Sequence, residues 1–136
     1  MKQPVDSMNG VWVTPWDVFN PLNEEFSLNM DVSASAENTK CTEYFDEQAD
    51  GLAQDWSGKR CWMNPPYGRS INRWIEKAAT SAAEVCVCLL PARTDTKWFH
   101  EHIYGKAEIR FLKGRIKFSG MKGSGMFPSM VVIFKT

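Results

Sequence analysis

Residues 85–90, Val-Cys-Val-Cys-Leu-Leu, form an unbroken apolar run stopped by Pro91. The run is short for a buried helix and suits a strand covered on both faces. Such a strand needs a sheet around it and helices packed over that sheet. A matching helix lies immediately upstream. Ile71, Trp74, Ile75, Ala78, Ala79 and Ala82 fall at i, i+3, i+4, i+7, i+8 and i+11, one continuous apolar face. Ser70 stands before them as a candidate cap. Arg60–Met63 reads as a short strand ahead of the helix, ended by two prolines that cannot donate to a ladder.

The rest of the chain extends this pattern. Trp12-Val13 reads as a short extended stretch. Asp17–Phe26 has helical spacing at Phe19, Leu22 and Phe26, with Pro21 near enough to the start to be tolerated. Leu28–Val32 alternates as a strand does and closes on an acid, Asp31; Ser33–Asn38 is a small-residue turn. Glu43–Trp56 is acidic and reads as exposed and partly irregular. Asp95–Tyr104 reads as a helix with Trp98, Phe99 and His102 on one side. Ala107–Leu112, Arg115–Phe118 and Ser129–Phe134 read as three closing strands, with a Lys113-Gly114 turn and a Gly120–Gly125 loop between them. The expectation is an α/β domain, a mixed sheet with helices on both faces, in one unit spanning residues 1–136.

Charge is unevenly divided. The net charge is zero, yet residues 1–57 carry 2 basic and 11 acidic side chains and residues 58–136 carry 14 basic and 5 acidic. A basic half suits a polyanionic partner, or the two halves attract one another within one globule. No apolar stretch reaches the roughly 18 residues of a membrane span. Met1–Gly10 lacks the pattern of a secretory signal. Cys41, Cys61, Cys86 and Cys88 fit neither zinc-ligand spacing nor a disulfide framework, so reduced thiols and a cytoplasmic location are expected. His100 and His102 have no carboxylate pattern around them, so no metal site is expected.

The chemistry resides in Asn64-Pro65-Pro66-Tyr67, directly after a strand. In open α/β sheets ligands bind beyond the carboxyl ends of strands. Asn64 offers an amide oxygen, and Pro65 offers a carbonyl with no N–H of its own. The two prolines stiffen the turn, so both acceptors are held before a substrate arrives. Tyr67 offers a flat apolar ring. A planar base could stack on that ring while its exocyclic amine donates one hydrogen bond to each oxygen. Two such acceptors favour a pyramidal nitrogen with its lone pair exposed for attack, without a strong base or a covalent intermediate.

These residues resemble the catalytic motif of S-adenosylmethionine-dependent amino-methyltransferases. The wider pattern is similar to the small phage-type DNA N-6-adenine methyltransferase family. It includes Thr14-Pro15, Met30 to Asn38, Asp50-Gly51-Leu52 with Trp56, and Leu90 to Thr96 with Trp98-Phe99. The resemblance implies a small Rossmann-like fold with no separate target-recognition domain. It implies S-adenosylmethionine as cofactor, with Asp31 beside it, Thr14 and Pro15 near its methionine portion and Asp50 near its ribose or adenine. Ser33 begins the Ser-Ala-Ser-Ala segment that stands where the family's Gly-rich donor loop belongs. No acid visibly ends a second core strand. Asn64, Pro65 and Tyr67 would hold the target adenine, with Asn64 also among the cofactor-binding residues together with Ser33, and Pro66 shaping the loop.

An adenine amine inside a duplex is inaccessible, so the base would be flipped out. Lys106, Arg110, Lys113, Arg115, Lys117 and Lys122 offer a phosphate-facing surface, or a solvated hairpin. Arg93, after the buried strand, either touches substrate or belongs to a loop in which Thr94 or Asp95 caps the next helix. The implied reaction is adenine N6 methylation of DNA by a monomer or homodimer that reads a short site or has relaxed specificity. A cytosine, RNA or protein-amide acceptor is the alternative within the same chemistry. A non-catalytic nucleic-acid-binding module is the alternative outside it.

Overall fold

A computed structural model describes residues 13–118 and 127–136. The expected Gly120–Gly125 loop, Trp12 and Lys122 lie outside the described residues. Among the described residues five strands form one mixed sheet: β1 (Met30–Asp31), β2 (Arg60–Met63), β3 (Val85–Pro91), β4 (Glu108–Phe111) and β5 (Ser129–Lys135), in the order β1-β2-β3-β5-β4. The first three are parallel, while β5 runs antiparallel to both β3 and β4. The carboxyl ends of β1, β2, β3 and β4 therefore share one end of the sheet.

Strand alternation sorts the core into two layers. Cys61, Met63, Cys86, Cys88, Leu90, Met130 and Val132 face α2 (Ile71–Thr80) and the turn at Phe99–Ile103. Trp62, Val85, Val87, Leu89, Val131 and Ile133 face α1 (Trp16–Phe26). Helices thus cover both faces, as expected. β3 is buried along its whole length. It extends through Pro91, which pairs with Ser129 beyond the last β2 partner, Met63↔Cys88. No ladder donor is missed there, so the proline is accommodated. Cys86 and Cys88 share a face with their sulfurs 3.7 Å apart, and all four cysteines are unbridged.

Several boundaries differ from expectation. Helix α2 ends at Thr80, and Ser81 is extended; Ala83 turns inward instead of Ala82. Ser70 makes no side-chain cap; its carbonyl accepts from Arg73 N at 3.0 Å. Residues 95–104 are not a regular helix: Phe99–Ile103 is a π-helical turn, closed by Tyr104 N donating to the Phe99 carbonyl at 2.8 Å. Thr96, not Thr94 or Asp95, caps it, accepting from Phe99 N at 3.3 Å. Residues 115–118 are not a strand, because Gly114 (φ +75°) turns the chain away after β4.

The acidic stretch is anchored more firmly than its composition suggests. Trp56 is 1% exposed, stacks on Trp74 of α2 with centroids 6.3 Å apart, and donates from Nε1 to the Gly51 carbonyl at 2.9 Å. This holds the short helical turn Gly51–Ala53 against the exit of β1. Tyr44 adds one parallel bridge to Asp31.

Candidate active site

Asp31 ends β1 and is 3% exposed. Its carboxylate accepts from Lys40 N (2.9 Å) and Ser33 N (3.3 Å). Ser33 Oγ donates to the Asn64 carbonyl at 3.0 Å. Thr14, 3% exposed, accepts at Oγ1 from Asn64 Nδ2 at 2.9 Å across 50 positions of sequence. The next residue, Pro15, accepts from Val18 N and Phe19 N through its carbonyl and so starts α1. Thr14, Asp31, Ser33 and Asn64 thus form one chain of contacts at the shared carboxyl end of the sheet, as expected of a site there.

Beside this chain opens a cleft of about 580 Å³, within the ~300–1,000 Å³ usual for small-molecule sites. Ser33, Ala34 and Ser35 form one wall, Pro66 and Trp74 another, and Asp46, Glu47 and Asp50 supply negative charge. Asp50 lines it while also capping its own turn through Leu52 N at 3.2 Å. Asp46 was not legible as an acid ending a second core strand; the Tyr44 bridge to Asp31 places it just beyond a strand-like position. Lys40 is not singled out by the sequence, which marks Asn38 and Trp74 as turn and helix-core residues and not as lining of a cleft. The one available signal was that Lys40 is an isolated base in an acidic half.

The absence of a Gly-rich loop has a physical explanation. The non-glycine residues with positive φ among those described are Ser27 and Asp50, so residues 33–36 need no left-handed backbone. Their turn is closed by Thr39 N to the Ser35 carbonyl and by Ser35 N to Asn38 Oδ1. The close approach is made instead by Gly51, where a Cβ would lie 2.0 Å from the Val32 carbonyl.

Burial pushes the Asp31 carboxyl up to about 6, against the pull of the Lys40 and Ser33 amides. The folded chain therefore keeps a proton that the unfolded chain, with a carboxyl near 3.9, has released. Stability falls as pH rises from about 4 to 6, by roughly 3 kcal/mol from this group. Asp31→Asn removes that dependence, so in urea melts the variant is expected to gain on the wild type as pH rises through this window. A constant difference between the two at every pH would contradict it.

Tyr67 is half-buried. Its hydroxyl donates to the Leu89 carbonyl at 3.1 Å, and its ring meets Phe127 (5.6 Å) and Phe118 (6.4 Å) edge-on. Burial drives its phenol well above the ordinary range, so it is no base at neutral pH. Arg93 is exposed after β3 and lines neither cleft. Lys113 and Arg115 are exposed beyond the carboxyl end of β4, at the same end of the sheet as Asn64. Arg110 is different. It makes a two-pronged ion pair with Glu25 (2.7 Å) and a third bond to Glu108 (2.6 Å), fastening β4 to α1. Arg110 is thereby withdrawn from the expected phosphate surface. Lys106 donates to the Glu101 carbonyl.

No described helix is long and apolar enough to cross a membrane. The family description DNA N-6-adenine-methyltransferase (Dam) matches residues 2–136. The chain is 30% identical over 135 residues to the DNA N-6-adenine-methyltransferase of Haemophilus phage HP1 (strain HP1c1), covering 92% of this chain and 78% of that protein. It is 30% identical over 112 residues to the protein of the same name from Escherichia phage T1, covering 79% of this chain and 47% of that one. With the Asn-Pro-Pro-Tyr turn set against β1 and a matching profile along almost its whole length, the chain belongs to the DNA N-6-adenine-methyltransferase (Dam) family.

Proposed function

We propose that residues 1–136 form a single Rossmann-like catalytic domain that moves a methyl group from S-adenosylmethionine to the N6 amine of adenine in DNA. The observation that carries this reading is the position of Asn64. It is 8% exposed, its side chain is anchored by Thr14, and its carbonyl is held by Ser33 beside the wide cleft. The strand order supports the fold assignment: an antiparallel β5 lies between β3 and β4, next to three parallel strands.

The cleft suits the donor. Its size is adequate, Trp74 and Pro66 offer apolar surface, and the three acids suit a cationic ligand carrying hydroxyl groups. Asp50, Asp46 and Ser33 would hold the nucleoside side, with Thr14 and Pro15 toward the amino-acid end. When bound, the donor supplies an electrophilic methyl on a sulfonium.

The remaining work falls to the chain. Asn64 Oδ1 and the Pro65 carbonyl accept the two amine hydrogens of an extruded adenine, which leaves the N6 lone pair directed outward. The Thr14 contact fixes the Asn64 amide plane beforehand, so little reorganisation accompanies the reaction. Tyr67 faces the base with its ring held by Leu89, Phe118 and Phe127. No group in the motif is a base, so the proton shed from N6 passes to solvent. Lys113 and Arg115 meet the phosphate backbone at the same end of the sheet, which positions the duplex without reading it.

Incubation of the protein with labelled S-adenosylmethionine and DNA, followed by nucleoside analysis, tests this reading. Label is expected in N6-methyladenine. Label in N4-methylcytosine, in RNA only, or nowhere would replace it.

A further inference from the structure

Residues 1–57 contain two basic side chains, Lys2 and Lys40. Lys40 is 9% exposed, and its N–H bond to Asp31 carries it to the end of β1. Its ammonium lies 4.5 Å from the centre of the Trp16 ring and donates to the Asn38 carbonyl at 3.4 Å. Among the described residues, no carboxylate lies within ion-pair distance of it. An ammonium has three donors, and a buried charge without a counter-charge is costly. Burial disfavours its charged form, and the attraction of Asp31 from farther away offsets this only in part.

The location indicates what would complete it. Lys40 lines a small second cleft with Thr14, Asp31 and Asn64. That cleft has about 10 Å³ of room, enough for one water-sized group such as a carboxylate oxygen. It adjoins the wide cleft, since Ser33 and Asn38 line both. The wide cleft has three acids and no base, and repels an anion; the small one sets this cation beside a single acid, Asp31. A ligand with a nucleoside at one end and an amino-acid zwitterion at the other is favoured with its carboxylate toward Lys40 and its ammonium toward Asp31.

We infer that Lys40 binds the α-carboxylate of the S-adenosyl amino acid, with Trp16 and Asn38 holding its ammonium in place. This rests on the donor assignment made above. The depth of the Lys40 ammonium distinguishes it from the exposed Lys113 and Arg115, which suit phosphates.

Calorimetric titration of wild type and Lys40→Met with S-adenosylhomocysteine and with 5′-methylthioadenosine, which lacks the amino-acid portion, separates the possibilities. Losing a charge-assisted bond should weaken S-adenosylhomocysteine by about 10- to 100-fold. Binding of 5′-methylthioadenosine should stay within about 2-fold, and Lys40→Arg should recover most of the loss. Equal weakening of both ligands, or of neither, would overturn the inference. If Lys40→Met does not fold, the wild type alone decides: it should prefer S-adenosylhomocysteine to its α-carboxamide by about 10-fold or more, and equal affinity would overturn the inference. Wild-type protein that binds none of these ligands overturns the donor assignment, and this inference with it.

Discussion

Asn64→Ala is expected to lower methyl transfer by about 10²–10³-fold or more while changing donor binding far less. The amide is placed before any substrate arrives, with Nδ2 held by Thr14 at 2.9 Å and the residue's carbonyl held by Ser33 at 3.0 Å. Such preorganised acceptors act where charge develops on the attacking nitrogen, and their loss is felt in turnover more than in affinity. The structural cost is small by comparison. One neutral hydrogen bond disappears, worth about 1 kcal/mol, and the two prolines still shape the turn. Turnover measured with labelled donor at saturating DNA, set beside a melting curve, checks both halves. Wild-type turnover in the variant would remove Asn64 from the mechanism.

Among the described glycines, Gly51→Ala is expected to meet the tightest contact and to be strongly damaging. Its Cβ would lie 2.0 Å from the Val32 carbonyl and 3.1 Å from the Trp74 ring. A backbone oxygen cannot step aside as a flexible side chain can, so the turn Gly51–Ala53 must move away from β1. Overpacking of this kind costs about 1–3 kcal/mol, occasionally more. The displacement also carries Asp50 and the Trp56–Trp74 stack, which border or support the wide cleft. Both a lower melting temperature and weaker donor binding are therefore expected. A variant unchanged in melting temperature would show that Gly51 and Val32 do not meet in this way.

The elements that could be read directly are those with an unambiguous period or a hard stop. Arg60–Met63 ends at two prolines, and the apolar run of β3 fits only a strand covered on both faces. Boundaries set by tertiary contacts were less legible. Helix α2 stops at Thr80 although its apolar spacing continues to Ala82, because the chain must turn to enter β3. Residues 115–118 have the alternation of a strand, but Gly114 bends the chain away from β4, the edge strand they would have paired with. Arg110 looked like a phosphate ligand because its partner Glu25 is 85 positions away.

The candidate site followed the same rule. Asn64, Pro65, Pro66 and Tyr67 are contiguous and so were visible as a motif. The contacts that give them their geometry span long separations: 50 positions from Thr14 to Asn64, 31 from Ser33 to Asn64 and 22 from Tyr67 to Leu89. Asp31 was visible as the end of a strand, but its proton affinity depends on burial that no local pattern reveals. Lys40 depends on the fold for its meaning, because its backbone bond to Asp31 and its place over Trp16 exist only after β1 and α1 have packed.

The most direct test of the central claim compares two duplexes with the wild-type protein and labelled S-adenosylmethionine. One contains ordinary adenine. In the other every adenine is replaced by purine, which keeps the ring but lacks the N6 amine. Label is expected in the first duplex, recovered as N6-methyladenine, and none in the second. Label that persists on the duplex without the amine would contradict the account, since the acceptor atom would then lie elsewhere.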